Sequence, residues 1–136
     1  MAVIPVAPPA PVVVESRVMA QALFHVRPAD KATVVELSLP HGLDSTEIDQ
    51  LNERLLGVIA EKPDGRWILD LSRLAYGGSA ALGLMVNVRQ RVLDAGGRLV
   101  LCGLSPRLLQ VFRTCCMERL FTIRGNQNDA LRAVGA

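Results

Sequence analysis

Arg66-Trp67-Ile68-Leu69-Asp70-Leu71-Ser72-Arg73-Leu74-Ala75-Tyr76-Gly77-Gly78-Ser79-Ala80-Ala81-Leu82-Gly83 is the stretch whose reading decides the fold. It begins as a short apolar run, Trp67-Ile68-Leu69-Asp70-Leu71, which reads as a buried strand. It ends in Gly77-Gly78-Ser79 and then small, helix-compatible residues. A strand that turns through glycines into a helix presents backbone N–H groups and a serine at the helix N-terminus. An anion, or a newly added phosphate, is electrostatically favoured there.

Outward from this junction, composition sets the frame. The chain has 136 residues, enough for one domain and a tail. Half of the residues are hydrophobic and only 4% aromatic, so the core must be built from Val, Leu, Ile and Ala. Such a core suits an α/β layer architecture with aliphatic parallel strands. A net charge of +2 gives no case for bulk nucleic-acid binding. The two halves differ, however. Residues 1–72 hold six Lys/Arg against ten Asp/Glu, and residues 73–136 hold nine Arg against three acids. Solvated helix faces of opposite sign account for this. The sharper reading is an electropositive surface near Ser79 that suits an acidic partner or a phosphate.

Cys102, Cys115 and Cys116 form no disulfide framework, and an odd count without C-x-x-C points to reduced thiols in a cytoplasm. Cys102 sits in an apolar run as a small core residue. His25 and His41 lie far from every cysteine in sequence, so no metal-ligand spacing exists. Residues 2–14 are greasy but carry Pro5, Pro8, Pro9 and Pro11 and no preceding basic segment, so they read as neither signal peptide nor membrane span. The expected protein is soluble and cytoplasmic, without membrane insertion.

Residues 1 to about 16 read as irregular or polyproline-like, with Val12-Val13-Val14 able to add an edge strand. Ala22–Val26 and Thr33–Leu37 read as a hairpin across Ala29-Asp30-Lys31. A helix follows, capped by Asp44, with Glu47 third in line and Leu43 stapled to Ile48. Ile48, Leu51, Leu55 and Ile59 point inward, leaving Glu47, Asp49, Glu53 and Arg54 for solvent. Lys62-Pro63-Asp64-Gly65 turns the chain into the strand at 66–71. A second helix runs from Ser79 to Ala95. It is apolar nearly all round in its first half (Ala80, Ala81, Leu82, Leu84, Met85, Val86), so that half packs closely, and it stops at Gly96-Gly97. Leu99–Cys102 is the next strand. Ser105-Pro106 opens a third helix, with Leu108, Leu109, Phe112 and Cys115 or Cys116 inward. Leu120–Ile123 makes a last strand. A terminal helix capped between Asn126 and Asp129 buries Ala130, Leu131 and Val134. The order β-β-α-β-α-β-α-β-α means a mostly parallel sheet with its first strand antiparallel.

Catalytic readings of the junction fail on particular residues. Gly77-Gly78-Ser79-Ala80-Ala81 is a loose nucleophile elbow, but both histidines precede the serine, whereas the α/β-hydrolase order requires one after it. A P-loop needs Gly-Lys-Ser/Thr, and no lysine follows Lys62. The glycine spacing does not match a dinucleotide fingerprint, and no basic cluster with interleaved aromatics exists for nucleic acid. Asp70 has no acid mate in sequence and reads as a strand-end residue bonded to backbone. Ser79 is at least a helix N-cap, stabilising by about 1 kcal/mol.

The ordered series of motifs resembles the STAS domain family of bacterial anti-sigma-factor antagonists, from about residue 20 to 135. Asp70-Leu71-Ser72 matches its strand end. Leu74, Tyr76, Ser79, Leu82 and Gly83 match its serine turn and Leu-Gly. Gly96-Gly97-Arg98-Leu99-Val100-Leu101 matches its helix-to-strand step, Gly103 to Pro106 its Gly-Leu-Ser-Pro turn, and Leu120-Phe121 and Ala130-Leu131 its closing elements. The resemblance implies one domain over 20–136 behind a proline-rich tail over 1–19. It implies a mixed, mostly parallel sheet of about four or five strands flanked by about four helices.

It further implies a non-enzymatic, cofactor-free and metal-free protein in a partner-switching system of transcription regulation. In that family an anti-sigma factor that is also a serine kinase phosphorylates the serine of the turn, and the unphosphorylated antagonist binds that kinase. Ser79 matches the phosphorylated serine, and Tyr76, Gly77, Gly78, Ser79 and Ala80 match the partner-binding turn. Gly78 stands where the family has an acid, and Ala81 where it has glycine. Two alternatives stay open: a STAS scaffold or adaptor subunit of a signalling or transport complex without phosphorylation, and a small serine hydrolase using Ser79.

Overall fold

The computed structural model describes residues 12–13, 22–29, 31–38, 45–74 and 79–135. Its elements follow the predicted alternation: β1 (Val12–Val13), β2 (Ala22–Ala29), β3 (Ala32–Leu37), α1 (Ser45–Ala60), β4 (Arg66–Asp70), α2 (Ser79–Asp94), β5 (Arg98–Cys102), α3 (Pro106–Thr114), a 3-10 turn at Met117–Arg119, β6 (Thr122–Arg124) and α4 (Gln127–Gly135). The strands lie in the sheet in chain order. β2 pairs antiparallel with β3, and β3 to β6 are parallel. The expected five strands are β2 to β6; β1 adds two residues at the edge, paired antiparallel with β2.

Successive side chains of a strand point to opposite faces, and two cores result. Val35, Leu37, Trp67, Leu69, Leu71 and Leu101 pack with Leu51, Leu55 and Ile59 of α1, Leu84, Met85, Val88 and Val92 of α2, and Leu108 and Phe112 of α3. On the other face, Ala32, Val34, Ile68, Val100 and Cys102 meet Ala130 and Val134 of α4. The sheet is thus sandwiched between three helices and one. Burial on both faces explains why β3, β4 and β5 read as near-continuous apolar runs.

The turns at the lower end of the sheet behave as their sequences require. Gly96 has φ +83°, the left-handed stop expected after α2. Asp64 N donates to Ala95 O at 2.9 Å and Arg98 N to Gly65 O at 2.9 Å, so this turn and the α1–β4 turn bond to each other. Ser105 Oγ accepts from Leu108 N at 3.1 Å with Pro106 at the first helical position, as predicted.

Several expectations are corrected. Glu47 is buried and Ile48 only half-buried, because the inward row of α1 is 47/51/55/59 at four-residue spacing. An acid in the first turn is also favoured by the positive end of the helix dipole. Neither Cys115 nor Cys116 faces inward; both are exposed. α3 ends at Thr114, Cys116 turns the chain at φ +58°, and Met117 and Phe121 fill the core in their place. β6 begins two residues later than expected, and Leu120 is exposed. Pro28 is taken into β2 opposite Thr33, so the hairpin is tighter than the sequence suggested. In the first half of α2, Leu82 and Val86 are only half-buried, Gly83 is exposed, and the packed face is Ala81, Leu84 and Met85. Leu109 and Leu131 likewise sit half-buried at the flanks of their helices. The expected cap Asp44 and staple residue Leu43 lie outside the described residues.

Candidate functional site

β4 ends at Asp70 and α2 starts at Ser79, at the carboxyl edge of the parallel strands. In open α/β sheets this edge is where sites form. Of the predicted site residues, Ser79 and Ala80 are the first two helical residues of α2, so Ser79 stands one position inside the cap place expected for it, while Tyr76, Gly77 and Gly78 lie outside the described residues. The chain leading into the junction is closely determined. Leu71 N donates to Cys102 O at 2.9 Å, Leu74 N to Leu71 O at 2.9 Å, and Ser72 N to Asp70 Oδ1 at 2.8 Å. Leu71 and Leu74 are buried beneath this turn. Gly103 closes over it with φ +74°; a Cβ there would lie 3.0 Å from Asp70 Oδ1 and 3.0 Å from Ser72 N. Glycine is required on both counts.

Asp70 was expected to bond to backbone, and it does so through one oxygen. Its other oxygen, Oδ2, accepts from Gln127 Nε2 at the start of α4. Gln127 Nε2 also donates to Glu36 Oε2 at 3.3 Å, and Gln127 Oε1 accepts from the Arg27 guanidinium. Arg27 Nε lies 3.5 Å from Glu36 Oε2. Glu36 pairs with His25 across the hairpin, so Arg27 reaches it on the diagonal of the same face. Arg27, Glu36, Asp70 and Gln127 therefore form one network under the first turn of α4. Among the described residues, no buried side-chain polar atom lacks a partner.

The electrostatics follow from these contacts. Burial pushes the Asp70 carboxyl up, but the Gln127 amide, the Ser72 N–H and hydroxyl, and the Arg27 charge together hold it below its ordinary 3.8. Burial, with the Asp70 and Glu36 charges beside it, pushes the Cys102 thiol up to about 12. Cys102 is therefore an inert core thiol at neutral pH. Beside the network, Phe24, His25, Glu36, Ser38 and Arg73 line an open cleft of about 310 Å³.

Gln127, Glu36 and Arg27 were not marked by the sequence, and Gly103 was marked only as the start of the Gly-Leu-Ser-Pro turn. Glu36 carried a faint signal, as a charge inside an apolar strand. Gln127 carried none, because nothing local says that an amide 57 residues beyond Asp70 meets it. Among the described residues no group of acidic, histidine and cysteine side chains could hold a metal ion, and no helix is long and apolar enough to cross a membrane.

The geometry agrees with what comparison finds. A family model described as STAS domain matches residues 26–130. A Bordetella bronchiseptica protein, BtrV, named as a candidate anti-sigma-factor antagonist, is 31% identical over 91 residues, covering 67% of this chain and 78% of its own. An anti-sigma-factor antagonist STAS protein from Planctomyces limnophilus superposes with TM-score 0.72 at 21% identity, over 83% of this chain and 98% of that one. The Bacillus cell-fate determinant SpoIIAA in its phosphorylated form gives TM-score 0.59 at 20% identity, over 82% and 98%.

Proposed function

The chain belongs to the STAS domain family, and from that premise we propose that it is a non-enzymatic anti-sigma-factor antagonist controlled at Ser79. One observation carries the reading: α2 begins at Ser79, directly after a glycine-rich stretch that leaves a closely determined strand end. A kinase would act on the hydroxyl of this serine. The phosphate it would receive carries about −1.5 to −2 charges, which the helix N-terminus favours. The fold therefore tolerates the modification, and the cost falls on the partner, whose interface gains charge and hydration. BtrV, the relative at 31% identity, supports the antagonist role, and the phosphorylated form of the fold relative SpoIIAA is consistent with the modification. The partner is an anti-sigma factor that is also a serine kinase, it docks on Tyr76 to Ala80, and the protein works in the cytoplasm. The working domain is residues 20–136, with 1–19 a tail.

Gly78 in place of the family acid favours a second reading, a scaffold or adaptor subunit that is never phosphorylated. Incubation with the cognate kinase and ATP, followed by mass spectrometry, separates the two. The first reading expects one phosphate on Ser79, none on Ser79→Ala, and at least about tenfold weaker kinase binding by Ser79→Asp, equivalent to about 1.4 kcal/mol. No modification of any serine, with Ser79→Asp binding its partner like wild type, leaves the scaffold reading.

A further inference from the structure

The polar network under α4 reaches the same segment from below. Gln127 is the first residue of α4, just after Asn126, whose Oδ1 accepts from Asp129 N at 2.9 Å and so caps the helix. The Gln127 amide uses both donor directions on carboxylates, Asp70 and Glu36, and its oxygen on Arg27. Its orientation is set by its partners, since a flipped amide would place oxygen against two carboxylates. Asp70 then passes the constraint on. The same carboxylate that receives Gln127 receives the Ser72 N–H, the first amide of the turn toward Ser79. Glycine at 103 leaves the space this turn occupies: a Cβ there would lie 3.0 Å from Asp70 Oδ1 and 3.0 Å from Ser72 N.

We propose that Gln127 is a positioning residue for the junction: through Asp70 it couples the seating of α4 to the Ser72–Leu74 turn that delivers the chain to Ser79. The inference rests on Ser79 as the control point, but the coupling is readable whether or not Ser79 is phosphorylated. Coupling through a shared carboxylate is reciprocal. Whatever holds the turn in place, a bound partner included, also tightens α4, and whatever frees α4 loosens the turn. α4 lies on the sheet face opposite α1, α2 and α3. The device thus links the junction to a face remote from the three-helix layer.

Amide hydrogen exchange on the intact protein tests this. Q127E sets a third carboxylate against Asp70 and Glu36. It should speed exchange at the Ser72 and Leu74 amides about fivefold, the lower end of coupling between linked sites, while α1 is unchanged. Adding D70N restores complementarity between positions 70 and 127 at the same net charge: the introduced amide can accept from Ser72 N and donate to the new carboxylate, which keeps the Arg27 guanidinium as a partner against the remaining like charge of Glu36. The double variant D70N/Q127E should return Ser72 and Leu74 to within about twofold of wild type, a coupling that only interacting positions show. Where the cognate kinase modifies wild type at Ser79, Q127E should lower the phosphorylation rate and the double variant should recover it. Faster exchange confined to residues 127–135, with Ser72 and Leu74 at wild-type rates, overturns the proposal. So does failure of D70N/Q127E to recover. An unphosphorylated wild type with intact coupling rejects the Ser79 reading alone.

Discussion

Asp70 shows how one residue takes its role from its neighbours. In sequence it is a lone acid at the end of an apolar strand; in the fold its two oxygens serve two elements, the Ser72 turn and α4. The three cysteines make the same point. Cys102 is buried with its thiol pushed up to about 12, while Cys115 and Cys116 are exposed in the break after α3. A thiol reagent at neutral pH should label two cysteines in the native protein and three in denaturant, with Cys102 identified by peptide mapping as the protected one. Native labelling of Cys102 at the rate of the other two would contradict its placement in the α4-side core.

The elements divide by how local their causes are. The start of α3 was legible residue by residue, because a cap serine and a first-position proline act within one turn. Ser105→Ala should therefore lower unfolding free energy by about 1 kcal/mol in urea titration, with an unchanged denaturant slope. A loss below a few tenths would mean that the cap bond to Leu108 is not formed in solution. The end of α3 was misread, because Cys115 and Cys116 continue the helical spacing. The helix instead stops at Thr114, and Cys116 adopts φ +58°. What stops it is the chain's need to bring Met117 and Phe121 into the core, where Phe121 meets Phe112 with ring centroids 5.6 Å apart. α1 shows the same limit. Its spacing announced a helix, but whether Glu47 or Ile48 lay inward depended on the rotation at which it docked.

At the scale of the molecule, the network makes stability depend on acid. Asp70 is held below its ordinary 3.8, so its contribution is present above that pH and is lost as pH falls through the lowered value. Wild type should accordingly exceed D70N in urea stability at pH 7. The gap should close progressively below about pH 3.8 as both sites become neutral. A gap that stays constant to pH 2 would show that the carboxylate charge is not what α4 and the turn respond to. The order of strands and helices, the mostly parallel sheet and the serine at the start of α2 were all determined by the sequence alone. Hydrophobic period, caps and glycine stops are short-range causes that a reader of the chain can see. The docking rotation of α1, the stop after α3, and the meeting of Arg27, Glu36, Asp70 and Gln127 were decided only by tertiary structure. Each depends on residues far apart in the chain and brought together by the sheet, and no local pattern records which partner a buried polar group will find.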